Sequence, residues 1–373
     1  MDTNQIYSIV NDAAAQTLGE SAIQATDTAS LVAMGNSILS SSTNTECFID
    51  TLIQRIGRTI ISYRPYKSQL GLLAVDDMRM GAILQKIKVK MPEAVEDVTT
   101  QLIDGQSIDQ YIVSKPKATQ KLFVKRTPYD FFITIQKKWL REAFTSETAM
   151  GSFLSAVYGE VENKLELSQE NLARLCMANF MAAISGTPAR VINLVTEYNR
   201  LKSASLDEES CLLEEGFLRY ALGRMNNISK KMKTMSVLYN DGSETRHSPE
   251  GDQRFVSIID FQTALETQVQ WAAFHDQYVK KKSGIEVPYW QAADSPFDID
   301  LLVESDSEEP EEVTLSNIVA FIHDRDALGT YRKEVEVATT PLNARGMYTN
   351  QFWHMNDLYF NDVSENGIIF TLN

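Results

Sequence analysis

Residues 146–186 read SETAMGSFLSAVYGEVENKLELSQENLARLCMANFMAAISG, and this stretch decides the fold. Apolar side chains fall at Met150, Phe153, Leu154, Val157, Val161, Leu165, Leu172, Leu175, Phe180 and Ile184. That spacing suits one α-helix. Ser146 can cap its start, and Gly186-Thr187-Pro188 stops it. No proline lies inside it. Unbroken, the helix spans about 60 Å at 1.5 Å per residue. Two helices split near Leu167-Ser168 are the alternative.

On the N-terminal side, residues 1–45 are rich in Ala, Ser, Thr, Asn and Gln, with sparse aliphatics. They predict an arm with some helix that packs poorly alone. SILSSSTNTE (37–46) reads as a linker by composition. FIDTLIQRIGRTI (48–60) has helical spacing. From Ile60 the texture changes. AILQKIKVKMPE (82–93) and QKLFVKRTPYDFFITIQKKW (120–139) alternate apolar and charged residues, the signature of strands.

The stretch 60–130 therefore predicts a long β-excursion. Lys86, Lys88, Lys90, Lys115, Lys117, Lys121, Lys125 and Arg126 make it locally basic. These residues are the candidate contacts. A two-stranded hairpin is marginal in water and its edges invite pairing. It must lie on its own body or on a neighbouring subunit.

On the C-terminal side, helices are expected over 188–202 and from Asp207 to 235, then a loop (239–253). RFVSIID (254–260) reads as a strand, 261–279 as a helix, and LSNIVAFIHD (315–324) as a buried strand. ESDSEEPEE (304–312) carries six acids, a solvated loop or a contact for a basic partner. The class is α+β, or mixed α/β, with a discontinuous body.

With 373 residues, 43% of them hydrophobic and 23% charged, the chain can bury a sizeable core. A net charge of −15 argues against general nucleic-acid or anionic-lipid binding. Cys47, Cys176 and Cys211 are far apart in sequence and suit a reducing compartment, as small apolar fillers. MDTNQIYSIV lacks a basic n-region, so no signal peptide is expected.

The sequence carries no phosphate loop, nucleophile elbow or zinc-protease motif. His275-Asp276 and the run His323-Asp324-Arg325-Asp326 are the nearest approach to metal or hydrolase chemistry. The bland reading of each is a surface or partly buried imidazole. No enzyme activity, cofactor or metal is expected.

The order of elements resembles the major capsid proteins of tailed bacteriophages, the Hong Kong 97 type of fold, and above all those of phi-29-like short-tailed phages. The stretches that carry the likeness are 48–61, 82–94, 121–139, 254–266, 318–334 and ARGMYTNQFWHMNDLYF (344–360). The resemblance implies an N-terminal arm (1–45), an extended β-loop (60–129), a discontinuous peripheral domain with the spine helix (46–59, 130–190 and 340–373) and an axial domain (191–339). It implies a structural head protein whose pentamers and hexamers form an icosahedral shell around double-stranded DNA. A separate scaffolding protein, a portal at one vertex and no membrane partner follow from it. An encapsulin-like compartment is the alternative with the same fold, and a metal-dependent hydrolase the alternative from another class.

Within 344–360, Tyr348 to Phe360 reads as a strand with neither face purely apolar. Trp353 is expected to join the sheet to the spine helix, and His354 to be a packed imidazole. Ile368, Phe370 and Leu372 line a last strand.

Overall fold

The computed structural model describes the chain except for residues 1–2, 20–21, 42, 50, 53–69, 71–72, 74–83, 90–101, 109–110, 112, 114, 116–117, 125, 269–283, 292–294 and 304–310. In chain order it begins with helices α1 (Thr3–Leu18) and α2 (Thr28–Leu39), then strands β1 (Leu84–Val89), β2 (Ala118–Phe123) and β3 (Arg126–Gln136). Next come α3 (Lys137–Ala143), α4 (Glu147–Ser185), β4 (Val191–Asn193), α5 (Leu194–Lys202) and α6 (Glu215–Met232). The chain continues with β5 (Gln253–Ile258), α7 (Ile259–Gln268), β6 (Gly284–Val287), β7 (Ile299–Val303) and β8 (Glu311–Leu315). It ends with β9 (Ile318–Asp324), β10 (Leu328–Thr339), β11 (Tyr348–Asn361) and β12 (Gly367–Thr371).

The long helix is a single piece. α4 runs for 39 residues, and Ser146 caps it by accepting from the Ala149 amide at 3.1 Å. Ser168, at the alternative break, returns its hydroxyl to the Lys164 carbonyl within the helix, 2.9 Å away. The helix is about 58 Å long at 1.5 Å per residue.

Two hydrophobic cores form along α4. The first uses Met150, Leu154, Val161 and Leu165 of its N-terminal half. Against them pack Val10, Ala13 and Ala14 of α1, Leu31, Met34 and Ile38 of α2, and Leu140 and Ala143 of α3. Gly35 lets α2 approach Phe144 closely, since a Cβ there would lie 2.5 Å from the ring. The second core uses Ala173, Cys176, Met177, Phe180, Met181 and Ile184, with α6 and a five-stranded sheet around them. The arm therefore does not stand alone; the helix pairs with it.

The five-stranded sheet has the order β4-β12-β9-β5-β6, and every residue of β9 is buried. A three-stranded sheet has the order β10-β11-β3. β1 pairs antiparallel with β2, and β7 with β8.

Several expectations are corrected. Residues 340–373 supply strands to two sheets. β11 pairs with β3 and β10, whereas β12 enters the sheet of β9 and β5. β10 pairs antiparallel with β11. The split follows from the turn at 362–366, which carries the chain from one sheet to the other. Most of the expected linker is helical. α2 extends to Leu39 and helix resumes at residues 43–49. Thr45 is buried there, its hydroxyl on the carbonyls of Ile38 and Ser41 at 3.2 and 2.8 Å. The expected helix over 188–202 is a 3-10 turn (Pro188–Arg190), β4 and then α5. Asp207 caps only the turn before α6, accepting from the Ser210 amide at 2.7 Å. Cys176 and Cys211 are buried and free, while Cys47 is exposed, so only two of the thiols act as fillers.

On β11 one face is buried: Thr349, Gln351, Trp353, Met355 and Asp357. His354 is on the other face and exposed, rather than packed, beside Phe352 at 6.4 Å. Asp130 and Glu336 lie directly opposite it on the two neighbouring strands.

Candidate functional site

In the β1–β2 hairpin Lys86 lies directly opposite Lys121, and Lys88 shares the face of Lys86. Like charges placed so are destabilising by themselves. The body resolves this with the turn between β11 and β12. Lys86 Nζ lies 3.0 Å from Asp362 and 2.6 Å from Glu365. Lys88 lies 3.1 and 2.8 Å from the same two carboxylates, and Lys121 2.7 Å from Asp362. Lys88 and Lys121 also donate to Ser364 Oγ at 2.7 and 3.1 Å. Phe123 adds a ring contact to Phe360, 5.3 Å between centroids.

The turn itself is held from below by Arg190. Its guanidinium donates to the carbonyls of Gly367, Val363 and Glu365 at 3.0, 2.9 and 2.9 Å, and lies over the Phe180 ring. Burial lowers the Arg190 pKa to about 10, so it stays charged at neutral pH. Gly367 is where the turn passes Phe180, because a Cβ there would lie 2.6 Å from the ring.

Burial pushes the Asp362 carboxyl up, but hydrogen bonds from Lys121 and Ser364 and the charge of Lys86 outweigh it. The net shift is well below the ordinary carboxylate range. Glu365 behaves alike: burial raises it, Lys86 and Lys88 bring it down further. For Lys86, burial lowers the pKa while Glu365 and Asp362 raise it, and the net shift is upward.

Of the eight candidate basic residues, Lys86, Lys88 and Lys121 thus come together on the chain's own body. Lys115 and Arg126 are exposed. Lys90, Lys117 and Lys125 lie outside the described residues. Sequence reading passed over Asp362, Ser364, Glu365 and Arg190, taking 361–366 as a plain turn. The available signal was three lysines on one face of a hairpin, which need carboxylates.

His323 is not a surface imidazole ending a strand. It is fully buried within β9, stacked on Phe321 at 4.9 Å, with Nδ1 2.7 Å from the Asp324 carbonyl. Burial lowers its pKa to about 4, leaving it neutral at pH 7. His275-Asp276 lies outside the described residues. Among the described residues no group of three or more His, Cys, Asp or Glu side chains is placed to hold a metal ion. None of the described helices is long and apolar enough to cross a membrane.

The long helix, the hairpin and the sheets make up a mixed helix-and-sheet fold, the class expected from the sequence. The family model for phi29-like phage major capsid protein matches residues 6–371. The chain belongs to that family. It is a structural head-shell protein of the virion. The capsid structure of Staphylococcus phage Andhra superposes with a TM-score of 0.54 at 12% identity, covering 81% of this chain and 83% of that one. A chain from the structure of head fiber and inner core protein gp22 of native bacteriophage P68 gives 0.52 at 10% identity, covering 82% and 85%. These likenesses bear on the fold. No curated protein matches by sequence.

In this capsid protein the hairpin anchor is testable by itself. Asp362→Asn removes the carboxylate shared by three lysines and weakens the anchor by about 1–3 kcal/mol. Hydrogen exchange at 84–89 and 118–123 should quicken while β9 stays protected. Unchanged exchange in the hairpin would sink the anchor. For pH the sign is fixed by depressed carboxylates. Their contribution is complete above the unfolded values near 4 and is lost as pH falls through the folded ones. Hairpin exchange, corrected for the intrinsic rate, should therefore be flat from pH 8 to 5 and quicken below about 4.

Proposed function

We propose that this capsid protein assembles into a closed icosahedral shell of pentamers and hexamers that encloses double-stranded DNA. Assembly takes place in the host cytoplasm, with a separate scaffolding protein and a portal at one vertex. The observation that carries the reading is the far part of the hairpin. Leu102, Ile103, Ile108, Tyr111 and Val113 are 48–80% exposed beyond the anchored strands. Apolar groups gathered on an excursion from the body favour a neighbouring surface. Many modest contacts of this kind sum to a stable assembly. Among the described residues, Lys115 and Arg126, exposed on the same excursion, are the candidate basic residues that remain to meet an acidic neighbour.

The test is electron microscopy of the full chain expressed with its scaffolding protein, together with hydrogen exchange. Shells should form, and residues 102–113 should gain protection only on assembly. A chain that stays monomeric under those conditions, or shells in which 102–113 exchange as in the monomer, would overturn the reading.

A further inference from the structure

Between the β1–β2 hairpin and the body lies a half-open cavity of about 200 Å³. Phe123 of β2, Leu328 of β10 and Phe360 of β11 give it apolar walls. Arg254 of β5, His323 of β9 and Arg325 of the turn after β9 close it on the side of the five-stranded sheet. Lys86 and Asp326 line it as well.

The charges here are unevenly matched. Lys86 is taken up by Asp362 and Glu365. His323 is neutral at pH 7. Two guanidinium groups and the single carboxylate of Asp326 remain. Among the described residues the arginines in ion pairs are Arg174, Arg219, Arg224 and Arg246, so Arg254 and Arg325 have none. Arg254 donates from Nη1 to the Gly251 carbonyl at 3.0 Å, while its Nε is buried without a partner. Arg325 is exposed, and its amide on the Asp252 carbonyl, at 2.7 Å, fixes where its side chain starts.

These features define what fits. Two unpaired guanidinium groups suit an oxyanion that accepts from both. The apolar walls suit a short hydrocarbon stem. A carboxylate side chain carries both, whereas a phosphate brings no stem. Sites for small molecules usually offer about 300–1,000 Å³, so this cavity is small for a cofactor or metabolite and suits one side chain. Carboxylates are also what neighbouring copies present in excess, since the chain has 50 acidic residues against 35 basic ones. We infer that the cavity is a socket for an acidic side chain of a second copy of this chain, whose carboxylate pairs with Arg254 and Arg325. One wall belongs to the hairpin and another to the sheet, so the incoming side chain bridges the two and ties the hairpin's seating to assembly. The inference rests on the shell reading above and names one contact within it.

The test uses the full chain, assembled as for the wild type. Gln85 is exposed and lines the cavity without belonging to the proposed pair, so it can be replaced by the photo-crosslinking residue p-benzoylphenylalanine. Irradiated shells should give crosslinked dimers of the chain, joined at a segment that carries an aspartate or glutamate. Unassembled chains should give none. Arg325→Glu should lower shell yield about tenfold, because like charges then meet, and reversing the acid found by crosslinking should restore most of it. The Arg325 side chain is exposed, so thermal unfolding of the variant should match the wild type. Arg325→Ala should lower the yield less than Arg325→Glu does. Normal yield from Arg325→Glu would overturn the contact. So would a crosslink confined to one chain or made to the scaffolding protein, and a reversed acid that restores nothing. Benzoate that binds the wild-type chain but not Arg325→Glu, with no dimer crosslink in shells, would assign the cavity to a free carboxylic acid instead. A wild-type chain that forms no shells overturns the shell reading, and this contact with it.

Discussion

Arg190→Met should destabilise the five-stranded half of the molecule by about 3–5 kcal/mol. Arg190 is fully buried, yet its partners are not carboxylates but three carbonyls of one turn, at Val363, Glu365 and Gly367. Methionine fills much of the space and removes the desolvated charge. It leaves carbonyls that water reaches poorly, and each unsatisfied group costs about 1–3 kcal/mol. The turn also presents Asp362, Ser364 and Glu365 to the hairpin lysines, so its loosening should spread there. Thermal unfolding and hydrogen exchange should show a lower melting temperature and faster exchange at 361–371 and at 84–89. Arg190→Lys keeps the charge but cannot reach three carbonyls in the planar arrangement, and should recover only part of the loss. An Arg190→Met variant with unchanged melting and exchange would show that the turn is held by its other contacts. Those include the Asn366 amide on Ser248 Oγ, the Gly367 amide on the Tyr239 carbonyl and the Asp362 amide on the Ala327 carbonyl.

This device explains what could and could not be read in the sequence. α4 was legible because its apolar residues recur at helical spacing for 39 residues between a serine cap and a Gly-Thr-Pro stop. β9 was legible because a run of apolar residues that short is a buried strand. The strands of the hairpin were legible from period two. Arg190 was not, because its partners lie 173–177 residues away and nothing local distinguishes it from a surface arginine. The linker at 37–46 was misread for a related reason. Ser and Thr favour turns when alone, but here Thr45 satisfies its hydroxyl on nearby carbonyls while Phe48 and Leu52 pack into the first core. Tertiary burial outweighed local preference.

β11 is the clearest case of a pattern that needed the structure. Its 14 residues serve both halves of the molecule. Trp353 and Met355 enter the first core, and Tyr359 packs against the second. The buried positions are odd-numbered up to Asp357, but Leu358 and Phe360 are buried as well. The pairing with β10 shifts register between Arg332 and Glu334, near where the strand passes from one half to the other. The extra residue there, Lys333, belongs to β10, and such a bulge increases the local twist of the pair. Two faces that change roles along one strand look mixed in the sequence, and His354 was assigned to the wrong environment for that reason.

Trp353→Ala should cost about 3–5 kcal/mol, and the loss should be confined to one half of the molecule. Trp353 is 1% exposed and stacks on Phe131, its cross-strand neighbour, with centroids 6.3 Å apart and the rings nearly parallel. It belongs to the core that joins the three-stranded sheet to α1, α2, α3 and the first half of α4. Deleting the indole opens a cavity that a helix–sheet junction cannot close without moving α4. Hydrogen exchange should therefore quicken in α1, α2, β3 and β11, while β9 and β12, which pack in the other core, keep their protection. Trp353→Phe separates ring packing from the polar edge. The indole Nε1 is buried without a hydrogen-bond partner among the described residues, so phenylalanine loses volume but also removes an unsatisfied donor. Its cost should be about 1–1.5 kcal/mol. Shell yield should follow the same order, wild type above Trp353→Phe above Trp353→Ala, because the arm and the three-stranded sheet are then held together less well. An alanine variant with unchanged stability and yield would mean that the indole fills space without joining the sheet to the helix.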